Sequence, residues 1–334
     1  PRLLPGRPPS AMRVLIALAA LLGAALPASG QAPSETAFDL VRLDPSARAA
    51  ALAGAGAVRG DDPTAAFYNP ALLTSDMDGA LALGYTNHVA DVSAGAASYA
   101  RDLGLWGGLS VGAGVRFLSY GEFDRRTGAG DDAVLGTYGA SEAAVTLSAA
   151  REVLPQLRLG ANVHALFASL DEAGAQALVA DLGLALSVPE EALTLGASVH
   201  HVGVLLSSLG ETDDRLPLDL RVTVSKRLEY LPLTVSLSGV DLQSFDGPEV
   251  DSSLVNRTLD HVALGGELQL GRTLAVRAGY NGRRGDALRS GSRLDLAGVS
   301  VGAGIKLRRV TVDYAFSNWG DFGGLHQFGV RTRL

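Results

Sequence analysis

Two pentapeptides in this chain are spelled like a serine nucleophile elbow: Gly108-Leu109-Ser110-Val111-Gly112 and Gly298-Val299-Ser300-Val301-Gly302. That chemistry needs the serine on a sharp strand-to-helix turn. Both matches instead fall in long alternating stretches, where Gly and Ser take the small phase of a strand. Gly54, Gly56 and Gly60 are spaced G-x-G-x-x-x-G, but no strand of a βαβ unit precedes them to make a dinucleotide site. The histidines are His88, His164, His200, His201, His261 and His326, and none falls in an HExxH or other metal spacing. Adjacent residues of a strand point to opposite faces, so His200 and His201 are not expected to meet one ion. Arg59-Gly60-Asp61, Arg284-Gly285-Asp286 and the sequon Asn256-Arg257-Thr258 are matches of spelling alone. Catalytic, cofactor-binding and metal-ligating residues are therefore expected to be none, and the chain is not expected to be an enzyme. A barrel hydrolase assembled from residues distant in sequence is the competing chemical reading.

Composition narrows the classes further. The chain has 334 residues, 47% of them apolar, with 41 Gly and only 6% aromatics. It has no Cys, which excludes disulfides, a Cys-ligated zinc, a CxxC motif and a lipoprotein anchor. The net charge of −7 argues against nonspecific nucleic-acid binding.

Residues 12–30 read as a secretory signal peptide: Met12 and Arg13, an apolar run from Val14 to Leu26, then Ala28-Ser29-Gly30 before Gln31. The run is short against the roughly 20 residues of a spanning helix. Residues 1–11 precede a plausible start Met. Removal of 1–30 takes Arg2, Arg7 and Arg13 and no acid, moving the charge from −7 to −10. The destination is then periplasm, exterior or outer membrane.

Periodicity decides among these. From residue 79 onward apolar and small or polar residues alternate, which marks strands with one apolar face. In 157–167, Leu157, Leu159, Ala161, Val163, Ala165 and Phe167 oppose Arg158, Gly160, Asn162, His164 and Leu166. In 310–316, Val310, Val312, Tyr314 and Phe316 oppose Thr311, Asp313 and Ala315. Fourteen such segments are expected, beginning near 79, 92, 105, 138, 156, 176, 192, 217, 232, 261, 273, 294, 309 and 323. In the segment near 294, Leu294 and Leu296 are out of phase with Val299 and Val301, which implies a bulge or a later start. Charges keep to the polar phase (Arg116, Glu142, Arg158, Asp181, Arg221, Glu267, Arg277, Lys306, Asp313), as a lipid-facing charge at midplane costs about 2–4 kcal/mol. Short connections alternate with long ones at 119–137, 202–216, 242–260 and 281–293, the pattern of short periplasmic turns and longer external loops. A soluble β-sandwich is the alternative. The expected fold is all-β: a 14-stranded transmembrane antiparallel β-barrel over 79–334, with a small N-terminal plug over 31–78.

The segment 31–78 does not alternate. Ser46 is placed to cap a short Ala-rich turn, and Asp61-Asp62-Pro63 and Asn69-Pro70 are turn signals. A mobile leader would strand Phe67, Tyr68, Leu72 and Leu73 in water, so a plug in the lumen is expected. Asp131, Asp132, Asp246, Glu249 and Asp251 make the expected external loops acidic, either as solvated ends or as a platform for a partner.

These residues carry a family resemblance. Ser46-Ala47-Arg48-Ala49-Ala50-Ala51-Leu52, Asp61-Asp62-Pro63 and Asn69-Pro70-Ala71-Leu72-Leu73 resemble the N-terminal signature of the PorQ family of the type IX secretion system. That family is related to PorV and to the FadL-like class of fourteen-stranded barrels with a plug. The resemblance continues in Ser119-Tyr120-Gly121-Glu122-Phe123-Asp124, Ala278-Gly279-Tyr280-Asn281 and His326-Gln327-Phe328-Gly329. It makes Arg48, Asp61, Asp62, Pro63, Asn69 and Pro70 the family signature. The family's Leu-Gly-Gly stands here as Leu52-Ala53-Gly54, and the chain ends in Leu334 where many barrels end in an aromatic residue. The resemblance implies a non-enzymatic outer-membrane component that anchors the cell-surface attachment complex. Its partners would be PorZ-, PorU- and PorV-like proteins together with outer-membrane lipid and lipopolysaccharide, and no cofactor is implied. The alternative is a FadL-like outer-membrane transporter of hydrophobic compounds.

Overall fold

The computed structural model describes residues 38–56, 61–87, 92–105, 108–126, 134–210, 215–244, 258–288, 296–320 and 323–334. The expected signal peptide lies outside these residues. So do Asp131, Asp132, Asp246, Glu249 and Asp251 of the expected external loops.

Fourteen strands follow one another: β1 (Ala80–Asn87), β2 (Ser93–Asp102), β3 (Ser110–Arg126), β4 (Val134–Leu154), β5 (Leu157–Leu170), β6 (Ala173–Val188), β7 (Leu193–Ser207), β8 (Asp219–Arg227), β9 (Leu233–Gly239), β10 (Val262–Leu270), β11 (Leu274–Asn281), β12 (Val299–Leu307), β13 (Val310–Asn318) and β14 (Gly324–Arg333). Each pairs antiparallel with its sequence neighbours, and β1 pairs with β14, from Ala80 opposite Arg333 to Asn87 opposite His326. Closure pairs every strand on both sides around the barrel, which a sheet in hydrocarbon requires; the extensions at 120–126, 134–139 and 201–207 are paired on one side at most. The alternation reads as expected. Val115, Phe117, Leu159, Val163, Phe167, Val312 and Tyr314 are exposed on the outer face, while Arg116, Asn162, His164, Asp313 and Ala315 are buried on the inner one.

Four local expectations are corrected. The third strand begins at Ser110, not near 105, because Leu105 accepts from the backbone N–H of both Gly108 and Leu109 in a turn. Much of 119–137 is strand rather than loop: after a shift between Ser119 and Glu122, β3 and β4 continue pairing to Arg126 opposite Val134. Likewise β7 runs on to Ser207, and a helix spans Gly282–Ala287 within the expected loop 281–293. The twelfth strand starts at Val299, the later start that is one of the two readings of this segment.

Residues 38–56 and 61–79 fold inside the barrel. Phe38, Leu40 and Val41 pack near the loop end against Ala94, Leu118, Ala144, Leu166 and Val179. Tyr68, Leu72, Leu73 and Met77 pack near the turn end against Ala80, Ala100, Ala150 and Ala185. The chain thus threads the lumen from the loop end to the turn end, where the Gly79 carbonyl accepts from the Leu334 N–H.

Candidate functional site

The plug is held by two seats of different chemistry. On the β10–β14 side, Ser46 caps the helical turn Ala47–Ala51 by accepting from the Ala49 N–H. The alanines of that turn lie against Ala315, Gly302 and Gly329, so small residues on both sides let backbones approach. The turn aims Arg48 at Glu267, which accepts from Arg48 Nε at 2.9 Å and Nη2 at 2.8 Å. Arg277 donates to Glu267 at 2.6 Å and to Asp313 at 2.7 Å. Arg331 donates to Asp313 at 2.9 Å and to Asp61 at 2.7 Å, and lies 3.8 Å from Asp62. Charges alternate along this chain from one plug residue to another across β10, β11, β13 and β14. Asp62 also caps the 3-10 turn Pro63–Phe67, accepting from the Thr64 N–H, with Pro63 at the first helical position where no N–H is needed.

On the β4–β7 side the seat is steric. Asn69 caps the 3-10 turn Pro70–Leu72 through Ala71 N–H and donates to the carbonyls of Leu184 and Ala197 at 3.0 and 3.3 Å. Pro70 lies so close to Gly160 and Gly183 that a Cβ at either would collide with the plug. The six signature residues are therefore brought together by one structure: Arg48, Asp61 and Asp62 in the ionic seat, with Pro63 starting the next turn, and Asn69 and Pro70 in the steric one.

A third cluster was not expected. The β6–β7 register passes from Ala180 opposite Val202 to Leu182 opposite Val199, so His200 and His201 together face Asp181. His201 takes a left-handed backbone, φ 60°, and both rings are buried inside the barrel. The expectation of opposite faces fails because this bulge inserts an extra residue and resets the phase. The signal was present in the sequence: the outward residues change from Leu193, Leu195 and Val199 to Val202, Val204 and Leu206. Asp181 Oδ2 lies 2.7 Å from His164 Nε2, 3.2 Å from His200 Nδ1 and 2.8 Å from Asn162 Nδ2. Asn162 also donates to the plug carbonyl of Ala66. His200 Nε2 is 2.8 Å from Ser198 Oγ, giving the order of a Ser-His-Asp relay, but that hydroxyl donates to the plug carbonyl of Tyr68 at 3.3 Å. No group of three or more metal-ligating side chains suited to an ion occurs among the described residues. The serines of both elbow-like motifs, Ser110 and Ser300, are buried on the inner face, and Ser300 donates to Ser317.

Above the plug, at the loop end, lies a cavity of about 480 Å³. Its walls include Val41, Leu43, Leu118, Val240, Leu288 and Trp319. Tyr120 and His201 line it from beside register shifts in the wall, at Ser119/Glu122 of β3–β4 and Ala180/Leu182 of β6–β7. Six of its eight charged residues are paired, Asp39 and Arg42 being the other two. Arg284 donates to Asp44 at 2.5 Å, Arg221 to Asp219 at 2.5 Å, and Arg283 pairs with Asp241. Burial disfavours the charged carboxylate of Asp44, but Arg284 and the Tyr68 hydroxyl outweigh it and hold its pKa below the ordinary 3.8. Below, Arg116 fixes the plug by donating to the carbonyls of Leu40 and Leu43 and lies over the Phe67 ring. The site is thus an apolar chamber with neutralised charges, floored by a clamped plug.

No protein-family model matches the chain, and no curated protein sequence matches it. Solved structures do. The chain is similar to the toluene transporter TbuX of Ralstonia pickettii, with 17% identity, a TM-score of 0.57, and coverage of 89% of this chain and 100% of that one. It is similar to the CymD monoaromatic hydrocarbon channel, with 14% identity, a TM-score of 0.55, and coverage of 89% and 99%. It is also similar to the toluene transporter TodX of Pseudomonas putida, with 13% identity, a TM-score of 0.53, and coverage of 86% and 96%. At such identities the likeness is one of fold: the chain shares the closed barrel fold of these structures.

Proposed function

We propose that this chain is an outer-membrane transporter of small hydrophobic compounds, entered from the loop end. The observation that carries it is the apolar chamber of about 480 Å³ above a clamped plug, in the fold shared with toluene and monoaromatic hydrocarbon channels. Pockets of roughly 300–1,000 Å³ with apolar walls suit small molecules. The pairing of every acidic residue except Asp39 on the chamber wall with an arginine leaves little net charge to repel a neutral permeant. On this reading the chain performs no catalytic step, and its partners are the permeant and the surrounding lipid and lipopolysaccharide.

The attachment-complex role implied by the PorQ resemblance is less well supported. The residues that carry the resemblance, from Arg48 to Pro70, make plug-to-barrel contacts. Any barrel with this plug would need them, whatever its partner. The two roles separate in a deletion strain. Uptake of a labelled monoaromatic hydrocarbon or long-chain fatty acid should fall, while surface attachment of cargo bearing a C-terminal sorting domain should not change. Leu118→Trp with Val240→Trp, which fills the chamber, should reproduce the uptake defect. Normal uptake with lost attachment would reinstate the scaffold.

A further inference from the structure

The turn end of the barrel opens into a second space, about 790 Å³, beside the plug residue Asp61. Its wall carries Lys306, Arg308, Arg309 and Arg333 against Asp61 and Asp76. The Asp61 carboxylate is already engaged, accepting from Arg331 at 2.7 Å, while Arg333 donates to the backbone carbonyl of Asp76, so four cations face the single remaining side-chain carboxylate of Asp76. Among the described residues, Lys306, Arg308 and Arg309 make no ion pair or side-chain hydrogen bond. Elsewhere on the rim Arg101 faces Asp78 at 3.4 Å and Lys226 faces Glu191 at 3.7 Å, while Arg227 and Arg272 are exposed singly in other turns. The β12–β14 sector differs in gathering four cations around one space.

Three further observations give that charge a direction. Lys306 shares the inward phase of Ser300 and Gly304, and Arg333 that of Gln327 and Arg331, all buried on the inner face. These cations thus line the mouth, not the lipid boundary, so a soluble ligand reaches them and a bilayer headgroup does not. Arg308 and Arg309 form the link between β12 and β13, and Arg308 takes a left-handed backbone, φ 56°, where Gly or Asn is the ordinary choice. The cations also come from two chain segments, 306–309 and the end of β14, around a space far larger than one carboxylate or phosphate, so several anionic groups on one ligand would be needed to engage them together.

We propose that this mouth binds an acidic peptide segment of a soluble partner, with Lys306, Arg308, Arg309 and Arg333 as its carboxylate donors. Arginine forks suit carboxylates in two-point contact. The short-turn end of an outer-membrane barrel faces the periplasm, which makes the partner periplasmic. The site lies next to the Asp61–Arg331 pair, so a bound carboxylate sits beside the lower end of the plug clamp. The assignment stands on charge and position and does not depend on the transport reading.

The test uses the full-length protein in detergent and fluorescein-labelled hexaglutamate, with hexaglutamine as the uncharged match, read by fluorescence anisotropy at low salt. Hexaglutamate should bind and hexaglutamine should not, and binding should weaken as salt rises. Arg308→Ser with Arg309→Ser should weaken it about tenfold or more, and Arg308→Lys with Arg309→Lys should retain most of it. Lys226→Gln with Arg227→Gln, which removes the same charge from the β8–β9 turn, should leave it unchanged. Barrel integrity is checked by heat-modifiable migration in gels. Equal loss in the Lys226/Arg227 pair would mean diffuse attraction and overturn the site. Displacement by inorganic phosphate as effectively as by free hexaglutamate would overturn the peptide in favour of a small anion.

Discussion

The two halves of the barrel wall hold the same plug by opposite means. Strands β3–β7 are long, from 14 to 21 residues, while β8–β14 have only 7 to 10. A spanning strand needs roughly 9–11 residues, so the tall half rises past the membrane and the short half barely crosses it. The tall half seats Asn69 and Pro70 on Gly160 and Gly183, where close approach needs the absence of side chains. The short half seats Arg48 and Asp61 through Glu267, Arg277, Asp313 and Arg331, where attachment needs the presence of complete side chains. Removing atoms should therefore break one seat, and adding atoms should break the other.

The largest effect is expected at the middle of the ionic chain. Arg277→Met leaves the part-buried Glu267 to Arg48 alone and the buried Asp313 to Arg331 alone, and since removing one member of a fully buried pair costs about 3–5 kcal/mol, a loss at the lower end of that range is expected. The heat-modification midpoint should drop sharply, and proteolysis should reach residues 61–79. Removing both ends of one pair, as in Arg48→Met with Glu267→Gln, should cost less than the sum of the singles, because no charge is then stranded. A double-mutant cycle that adds without coupling would dissolve the ionic seat as a unit.

Next comes the steric seat. Gly183→Ala forces a methyl into Asn69 and Pro70, and overpacking of this kind costs about 1–3 kcal/mol. The plug should loosen while the barrel ladder survives. If Asn69→Ala is milder than Gly183→Ala, the tall-side seat is a matter of space first and hydrogen bonds second. If it is the more severe, the two carbonyl contacts to Leu184 and Ala197 carry the seat, and the contrast between the halves weakens.

Acid should discriminate the ionic seat without any mutation. Burial raises the carboxyl pKa of Asp61, but Arg331 and Arg48 outweigh it and hold it below the ordinary 3.8. Its folded value is thus depressed, so its contribution is complete above the unfolded value and is lost as pH falls through the folded one. Plug protection, read by hydrogen exchange at residues 61–79, should be flat through mildly acidic pH and fail only below 3.8. Failure at higher pH would mean that Asp61 is not what ties the plug in place.

Much of this was legible in the sequence, for a physical reason. Lipid on one side and a packed plug on the other impose a strict period of two, so the strand pattern, its phase and the burial of Arg116, Asn162 and Asp313 could be read residue by residue. Bulges could not be placed as easily, since each is one residue long and is betrayed only by a phase change such as that at His200-His201. The strand extensions of β3 and β4 above the membrane were hidden too, because outside lipid both faces tolerate polar residues. What the signature residues hold was not legible at all. Arg48 and Glu267 are 219 residues apart, and only barrel closure brings them together.

The smallest predicted effect tests a single backbone position on the short side. Leu52-Ala53-Gly54 stands where the resembling family has Leu-Gly-Gly, and Ala53 takes a left-handed backbone, φ 54°. The Cβ of an L-residue is disfavoured there, and glycine is not. Ala53 N–H bonds the Ala50 carbonyl at 2.9 Å, and its own carbonyl accepts from Asn281 Nδ2 at 3.2 Å, so the turn cannot relax without losing contacts. Relief of the strain favours Ala53→Gly, while the greater freedom of an unfolded glycine opposes it. The strain is confined to one residue, so the net gain should be about 0.5–1 kcal/mol, seen as a small rise in the heat-modification midpoint with unchanged uptake. The effect should vanish in an Arg48→Met background if the ionic seat is what pins this turn. If the gain persists there, the left-handed turn is fixed by Asn281 and the packing of Leu52, and the short-side seat is steric at this point as well.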